Sequence, residues 1–91
     1  MNKLLMIVGA GIEQIPAYER ARDRGFQILG TDINPNAPAL RLADHILIVS
    51  TKDAEATASE AEKFNQIHSI SGVMTIANDV PGTVALVAER L

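Results

Sequence analysis

The five residues Leu4-Leu5-Met6-Ile7-Val8 are apolar with no polar residue between them. Strict alternation would mark a strand with one wet face, whereas an unbroken apolar run marks a strand covered on both faces, as in parallel sheets. Gly9 and Gly11 follow at once, and glycine lets a chain turn where a Cβ would clash. The period then changes. Ile15, Tyr18, Ala21 and Gly25 recur at helical spacing, opposed by Glu13, Glu19, Arg20, Arg22, Asp23 and Arg24 on a wet face. Pro16 falls in the first turn of this helix, where it is tolerated, and Gly25 suits the position just past its end.

Phe26 to Gly30 predicts a second short strand ending at Thr31-Asp32, and Asn34-Pro35-Asn36-Ala37-Pro38 predicts a structured loop. Ala39 to Ala43 can make one helical turn before His45-Ile46-Leu47-Ile48-Val49, a β-branched run that predicts a third strand. A helix is expected from about Asp53 to Gln66, with Ala54, Ala58, Ala61 and Phe64 as its apolar stripe and Thr51 or Asp53 as its cap. Ile70 to Ile76, interrupted by Gly72, predicts a fourth strand, and Val80, Val84, Val87 and Leu91 predict a last helix with Pro81 near its start. Strands alternating with helices in this way define an α/β fold, a Rossmann-like open parallel sheet of four strands with flanking helices, for which we expect the strand order 3-2-1-4. Residues 1–91 read as a single domain without internal repeats. The last helix reaches Leu91 without glycine, proline or a polar cluster, so the chain is expected to be a fragment of a longer one.

Composition narrows the function classes. A domain of this size buries about 60 to 65% of the surface that its unfolded chain exposes, enough for one modest core. The hydrophobic share of 47% with 21% charged is that of a globular protein, and no apolar run approaches the roughly 18 residues of a membrane span. Six apolar residues within the start are too few for a signal-peptide core, and there is no cysteine, so a cytoplasmic location is expected, with no membrane partner. Eight basic against eleven acidic side chains, with no Trp, provide neither the charge nor the stacking surface for nucleic acid.

In a parallel sheet of this order, Gly9 to Gln14, Asp32 to Asn36, Ser50-Thr51 and Thr75 to Asp79 all leave the carboxyl edge, where such sheets bind ligands. The N–H groups of Ala10, Gly11 and Ile12 lie at the start of the first helix and could meet a carboxylate or phosphate, or the glycines could simply make the turn. Gly9-x-Gly11-x-x-Gln14 has Gln where a dinucleotide fingerprint wants Gly or Ala. Asp32 could hydrogen-bond a ribose or close a turn, and Asn34 and Asn36 read as turn residues. Asn78 or Asp79 could cap the last helix, and Glu13 could favour the helix dipole or reach a substrate amine. His45 and His68 lack a carboxylate at ligand spacing, so no metal is assigned. There is no Gly-x-x-x-x-Gly-Lys-Ser/Thr loop, no Gly-x-Ser-x-Gly elbow and no Cys nucleophile. Lys3, Lys52 and Lys63 are the only lysines, and none lies in a glycine-rich setting that could clamp a nucleoside triphosphate.

Taken together, Ile7-Val8-Gly9-Ala10-Gly11 with Gln14-Ile15-Pro16, then Gly30-Thr31-Asp32-Ile33-Asn34-Pro35-Asn36-Ala37-Pro38 and Leu42-Ala43-Asp44, resemble the N-terminal domain that precedes the ATP-grasp fold. Ile70 to Thr75 and Asn78-Asp79-Val80 extend the likeness, which reaches over nearly the whole chain to enzymes related to biotin carboxylase, the carbamoyl-phosphate synthase large chain and purine-pathway ligases. The resemblance implies a parent ligase that activates a carboxylate with ATP and magnesium for attack by an amine. It places the ATP and metal residues in later lobes, so no cofactor is expected within this chain. Gly9, Ala10, Gly11, Glu13, Asp32, Asn78 and Asp79 become substrate-side positions by the same likeness, with a small carboxylate or amine as ligand and no catalytic residue. Purine-pathway members often carry an acid directly after the second glycine, where this chain has Ile12, with Glu13 one place later.

Three readings therefore stand beside one another. The first is the substrate-binding and scaffolding domain of an ATP-grasp carboxylate–amine ligase, partnered by the ATP-grasp lobes. The second is a dinucleotide-binding Rossmann domain of a dehydrogenase or epimerase, and the third a stand-alone binding or assembly module. Unpaired edges and apolar patches also predict some homo-oligomer formation.

Overall fold

The computed structural model describes residues 3–76 and 81–91. Strands β1 (Leu4–Val8), β2 (Gln27–Asp32), β3 (His45–Ile48) and β4 (Gly72–Met74) form one sheet in the order β3-β2-β1-β4, every pairing parallel. That is the expected order and direction. Helices α1 (Ile15–Asp23), α2 (Ala54–Asn65) and α3 (Pro81–Arg90) complete the alternation, with 3-10 turns at Ile12–Gln14 and Pro38–Leu42.

The apolar run of β1 divides between two cores, because successive side chains of a strand point to opposite faces. Leu4, Met6 and Val8 join Leu29 under Ala58 and Ala61 of α2 and Val87 of α3. Ile7 and Ile28 face the other way, against Tyr18 and Ala21 of α1 and against Ala37, Ala39 and Leu40. The small residues of α2 let its backbone come close to the sheet. Gly25, with φ +85°, ends α1 in the left-handed conformation expected just past a helix. Asp53 caps α2 by accepting from the Ala56 N–H at 3.0 Å.

Several elements differ from the sequence reading. The fourth strand is only Gly72–Met74, shorter than Ile70 to Ile76, and pairs on one side alone. In β3 burial alternates, leaving Ile46 and Ile48 about half exposed, because this strand is the other edge of the sheet. Thr57, not Ala54, completes the buried face of α2; its hydroxyl donates to the Ser50 carbonyl at 2.9 Å, which satisfies a buried polar group locally. Leu91 lies exposed beyond α3, while Thr83 is buried with its hydroxyl on the Thr51 carbonyl at 2.7 Å. His45 and His68, which look unrelated in sequence, meet with ring centroids 4.8 Å apart and Phe64 beside both. Among the described residues no group of three potential metal ligands forms, and no helix is long and apolar enough to cross a membrane.

Candidate functional site

Parallel strands deliver the loops after β1 and β2 to one rim, and the backbone there is tightly tied. The β1–β2 ladder continues one residue beyond β1, with the Gly9 N–H donating to the Thr31 carbonyl at 3.0 Å and also lying 3.2 Å from Thr31 Oγ1. Gly9 has φ +96°, a conformation that side chains with a Cβ resist. Its carbonyl accepts from the Tyr18 hydroxyl at 2.9 Å, so α1 itself holds the turn in place. Burial pushes the Tyr18 phenol well above its ordinary pKa, and the nearby Asp32 charge acts in the same direction. The hydroxyl therefore stays protonated at neutral pH and donates to the Gly9 carbonyl.

Asp32 has two roles at once. One carboxylate oxygen accepts from the Asn34 N–H at 3.0 Å, which is the turn role weighed for it, and the other accepts from the Ala10 N–H at 3.0 Å. Asn34 repeats the device, accepting from the Asn36 N–H at 2.9 Å. The Ala10 carbonyl in turn accepts from Ala39 N–H at 2.9 Å. Ala10 is thus fully buried with both backbone groups engaged. This corrects the expectation that its N–H stands open to an anion. Among the described residues, the N–H groups of Gly11 and Ile12 have no protein acceptor.

The electrostatics of the turn are acidic. A Cβ built on Gly11 would lie 3.4 Å from both carboxylate oxygens of Glu13, so that side chain curls back over the glycine. With Asp32 bonded to the Ala10 N–H alongside, two carboxylates border the turn, and like charges at short range repel. Lys3 lies at the opposite end of β1, and Lys63 pairs with Glu60 on α2 at 3.8 Å. Of the sequence-predicted site residues, Gly9, Ala10, Gly11, Glu13 and Asp32 are brought together here. Asn78 and Asp79 lie outside the described residues. Thr75 reaches the same edge, its hydroxyl donating to the Val8 carbonyl at 2.9 Å.

Gln14, which the sequence marks as a departure from the dinucleotide fingerprint but not as a site residue, packs into the turn. It is 2% exposed, and its carboxamide lies against the turn: a Cβ on Gly9 would come within 3.1 Å of Gln14 Nε2. The signal was present, since a long polar side chain stands where the dinucleotide fingerprint wants a small one.

An open parallel sheet with a glycine turn and an Asp-closed turn on its carboxyl rim defines a Rossmann-like domain, and the matches that follow put it in the pre-ATP-grasp class. The chain belongs to the family of PylC-like N-terminal domains, whose model matches residues 4–90. Among solved structures it is similar to phosphoribosylglycinamide synthetase from Anaerococcus prevotii, at 26% identity and TM-score 0.80, covering 98% of this chain and 22% of that one. It is similar in fold to an N5-carboxyaminoimidazole ribonucleotide synthetase solved as an ADP complex, at 20% identity and TM-score 0.76 over 98% of this chain and 22% of that one. UDP-glucose 4-epimerase from Thermotoga maritima shares the fold more distantly, at 16% identity and TM-score 0.63 over 96% of this chain and 33% of that one. A search among curated proteins gives no match. The chain therefore spans about a fifth of the length of the ligases it matches.

Proposed function

We propose that this chain is the substrate-binding and scaffolding N-terminal domain of an ATP-dependent carboxylate–amine ligase, acting in the cytoplasm and not catalytic by itself. The supporting observation is the acidic, closed glycine turn. With the Ala10 N–H taken by Asp32 and the Glu13 carboxylate over Gly11, the turn is a poor host for a nucleotide phosphate but keeps hydrogen-bonding groups for a small polar substrate. ATP and magnesium belong, in this reading, to the ATP-grasp lobes of a longer chain. Gly9, Ala10, Gly11, Glu13, Asp32, Asn78 and Asp79 form the substrate side, Gly9 and Ala10 by shaping the turn.

The family match over residues 4–90 and the likeness to ligases of greater length support the same reading. The dinucleotide reading shares the sheet but not the turn, because Gln14 fills the space beside Gly9. Isothermal titration of the 91-residue chain with Mg-ATP tests the proposal. The expected result is no binding in the micromolar range; micromolar affinity would assign the nucleotide to this domain and overturn the reading.

A further inference from the structure

We propose that the apolar groove between α1 and β4 binds a free carboxylate with an unbranched hydrocarbon tail, Arg20 and Arg24 taking the carboxylate and the groove floor taking the tail. None of the lining residues belongs to the rim set, so the inference goes beyond the reading of the rim.

The two faces of the sheet are covered unequally. On one, α2 and α3 close over the strands through Ala58, Ala61 and Val87. On the other, α1 packs at Ile7 and Ile28 and leaves Leu5, Phe26 and Met74 only partly buried. These three floor a groove of about 380 Å³, with Ala17 and Ala21 of α1 as its wall and Ile76, 46% exposed, at its lip. Sites for small molecules run from about 300 to 1,000 Å³ and are mostly apolar with a few polar groups. An apolar concavity open to water gains free energy when a hydrocarbon displaces that water.

The arginines decide which hydrocarbon. Arg20 and Arg24 stand one helical turn apart and both line the groove. Because α1 returns between two parallel strands, Pro16 and Ile76 mark the end near the carboxyl edge, and Arg24 and Phe26 mark the other. Among the described residues neither guanidinium has an ion-pair or hydrogen-bond partner, whereas Arg22 donates to the Leu42 carbonyl at 3.1 Å and Arg90 pairs with Glu55 at 2.7 Å. Glu19 and Asp23 share a separate polar hollow with the two arginines and do not line the groove. The groove therefore carries positive charge at one end and no carboxylate of its own. A guanidinium takes a carboxylate through two parallel hydrogen bonds, so a tailed carboxylate matches both ends, and a tailed alcohol or ammonium matches only the floor. A second copy seated groove to groove would set the two arginine pairs against each other, which charge opposes.

The test follows the Met74 methyl and the Phe26 amide by NMR in the 91-residue chain while octanoate, hexanoate, 1-octanol and octyltrimethylammonium are added below their micelle concentrations. The expected result is saturable movement of both signals with octanoate. Hexanoate should bind more weakly by about two- to fourfold for each methylene lost, depending on how deeply the tail is buried. 1-Octanol should bind about 2- to 10-fold more weakly than octanoate, as two partly exposed ion pairs would give, and the ammonium more weakly still. In the Arg20→Gln/Arg24→Gln double variant octanoate should fall to the level of octanol, with octanol unchanged. Both arginines are exposed, so the fold stands, and circular dichroism checks it. Ala17→Leu, which fills the groove, should weaken both ligands at least tenfold. Octanoate that moves neither signal, that binds no better than octanol or the ammonium, or that gains nothing over hexanoate would overturn the proposal. So would a carboxylate preference that survives in the double variant, or binding that persists in Ala17→Leu. Sedimentation at the same concentration covers the other occupant: a dimer that octanoate leaves intact would assign the groove to a second copy and overturn the proposal.

Discussion

Gly30→Ala is the substitution whose outcome the packing decides most sharply. Gly30 lies buried within β2, and its φ is not in the left-handed region, so the backbone accepts alanine there. On backbone grounds alone the change would stabilise, since alanine has fewer unfolded conformations to lose, by about 0.4–1 kcal/mol. The surroundings reverse the sign. A Cβ at this position would lie 2.9 Å from Tyr18 Oη, 3.0 Å from Leu40 Cδ2 and 3.1 Å from Ala43 Cβ, three contacts too short at once. Overpacking of this kind costs about 1–3 kcal/mol. Displacing the Tyr18 hydroxyl further endangers its bond to the Gly9 carbonyl, worth about 1 kcal/mol. The net expectation is a loss of about 1–3 kcal/mol, which in a domain of this size lowers the melting temperature by roughly 5–20 °C. Circular-dichroism melts and urea titrations measure it. Because Tyr18 Oη is the nearest atom, Gly30→Ala should be less damaging in a Tyr18→Phe background, with a coupling of at least about 0.5 kcal/mol in the double-mutant cycle. A Gly30→Ala chain as stable as its parent would refute the seating of α1 and the Leu40 turn on β2.

Three further outcomes follow. Tyr18 is the chain's one tyrosine, and burial holds its phenol protonated in the fold; above about pH 10 the unfolded chain releases that proton while the native chain keeps it, so stability should fall by about 1.4 kcal/mol per pH unit. Urea midpoints between pH 9 and 11 (about one unit either side of the ordinary phenol value) check this, and an equally steep fall in Tyr18→Phe would point to other groups. Asp53→Ala removes the α2 cap and should cost about 1 kcal/mol in urea unfolding, whereas an unchanged midpoint would mean that water replaces the carboxylate without loss. The apolar groove of about 380 Å³ lined by Leu5, Ala17, Ala21, Phe26, Met74 and Ile76 should make the isolated chain self-associate at high concentration; sedimentation should show Ile76→Asp shifted toward monomer, and a strictly monomeric parent chain would count against it.

Much of this architecture can be read from local pattern. The unbroken run of β1 announces burial on both faces, and the glycines and the Asn-Pro loop place the turns after β1, α1 and β2. Strand direction follows from the alternation of element types. What the pattern hides are consequences of neighbours. His45-Ile46-Leu47-Ile48-Val49 has the composition of a central strand, and only the sheet order makes β3 an edge with Ile46 and Ile48 half exposed. Thr57 and Thr83 look like solvent-facing residues until carbonyls of the β3–α2 connection come within reach of their hydroxyls. At the rim, sequence spacing brings Gly9, Gly11 and Asp32 together but does not say which N–H each carboxylate takes. That Asp32 closes on Ala10, and that Gln14 packs on Gly9, depends on the register Val8↔Thr31 and on the seat of α1.

The central claim is that the glycine turn is closed to nucleotide phosphates and serves a small polar substrate. Amide chemical shifts of residues 9–14 and 32, followed while NAD and then Mg-ATP are titrated into the chain, test it at the atoms concerned. The account predicts that these resonances stay in place with both nucleotides, the Ala10 amide remaining bonded to Asp32 throughout. Saturable movement of the Ala10, Gly11 and Ile12 amides with either nucleotide would contradict it.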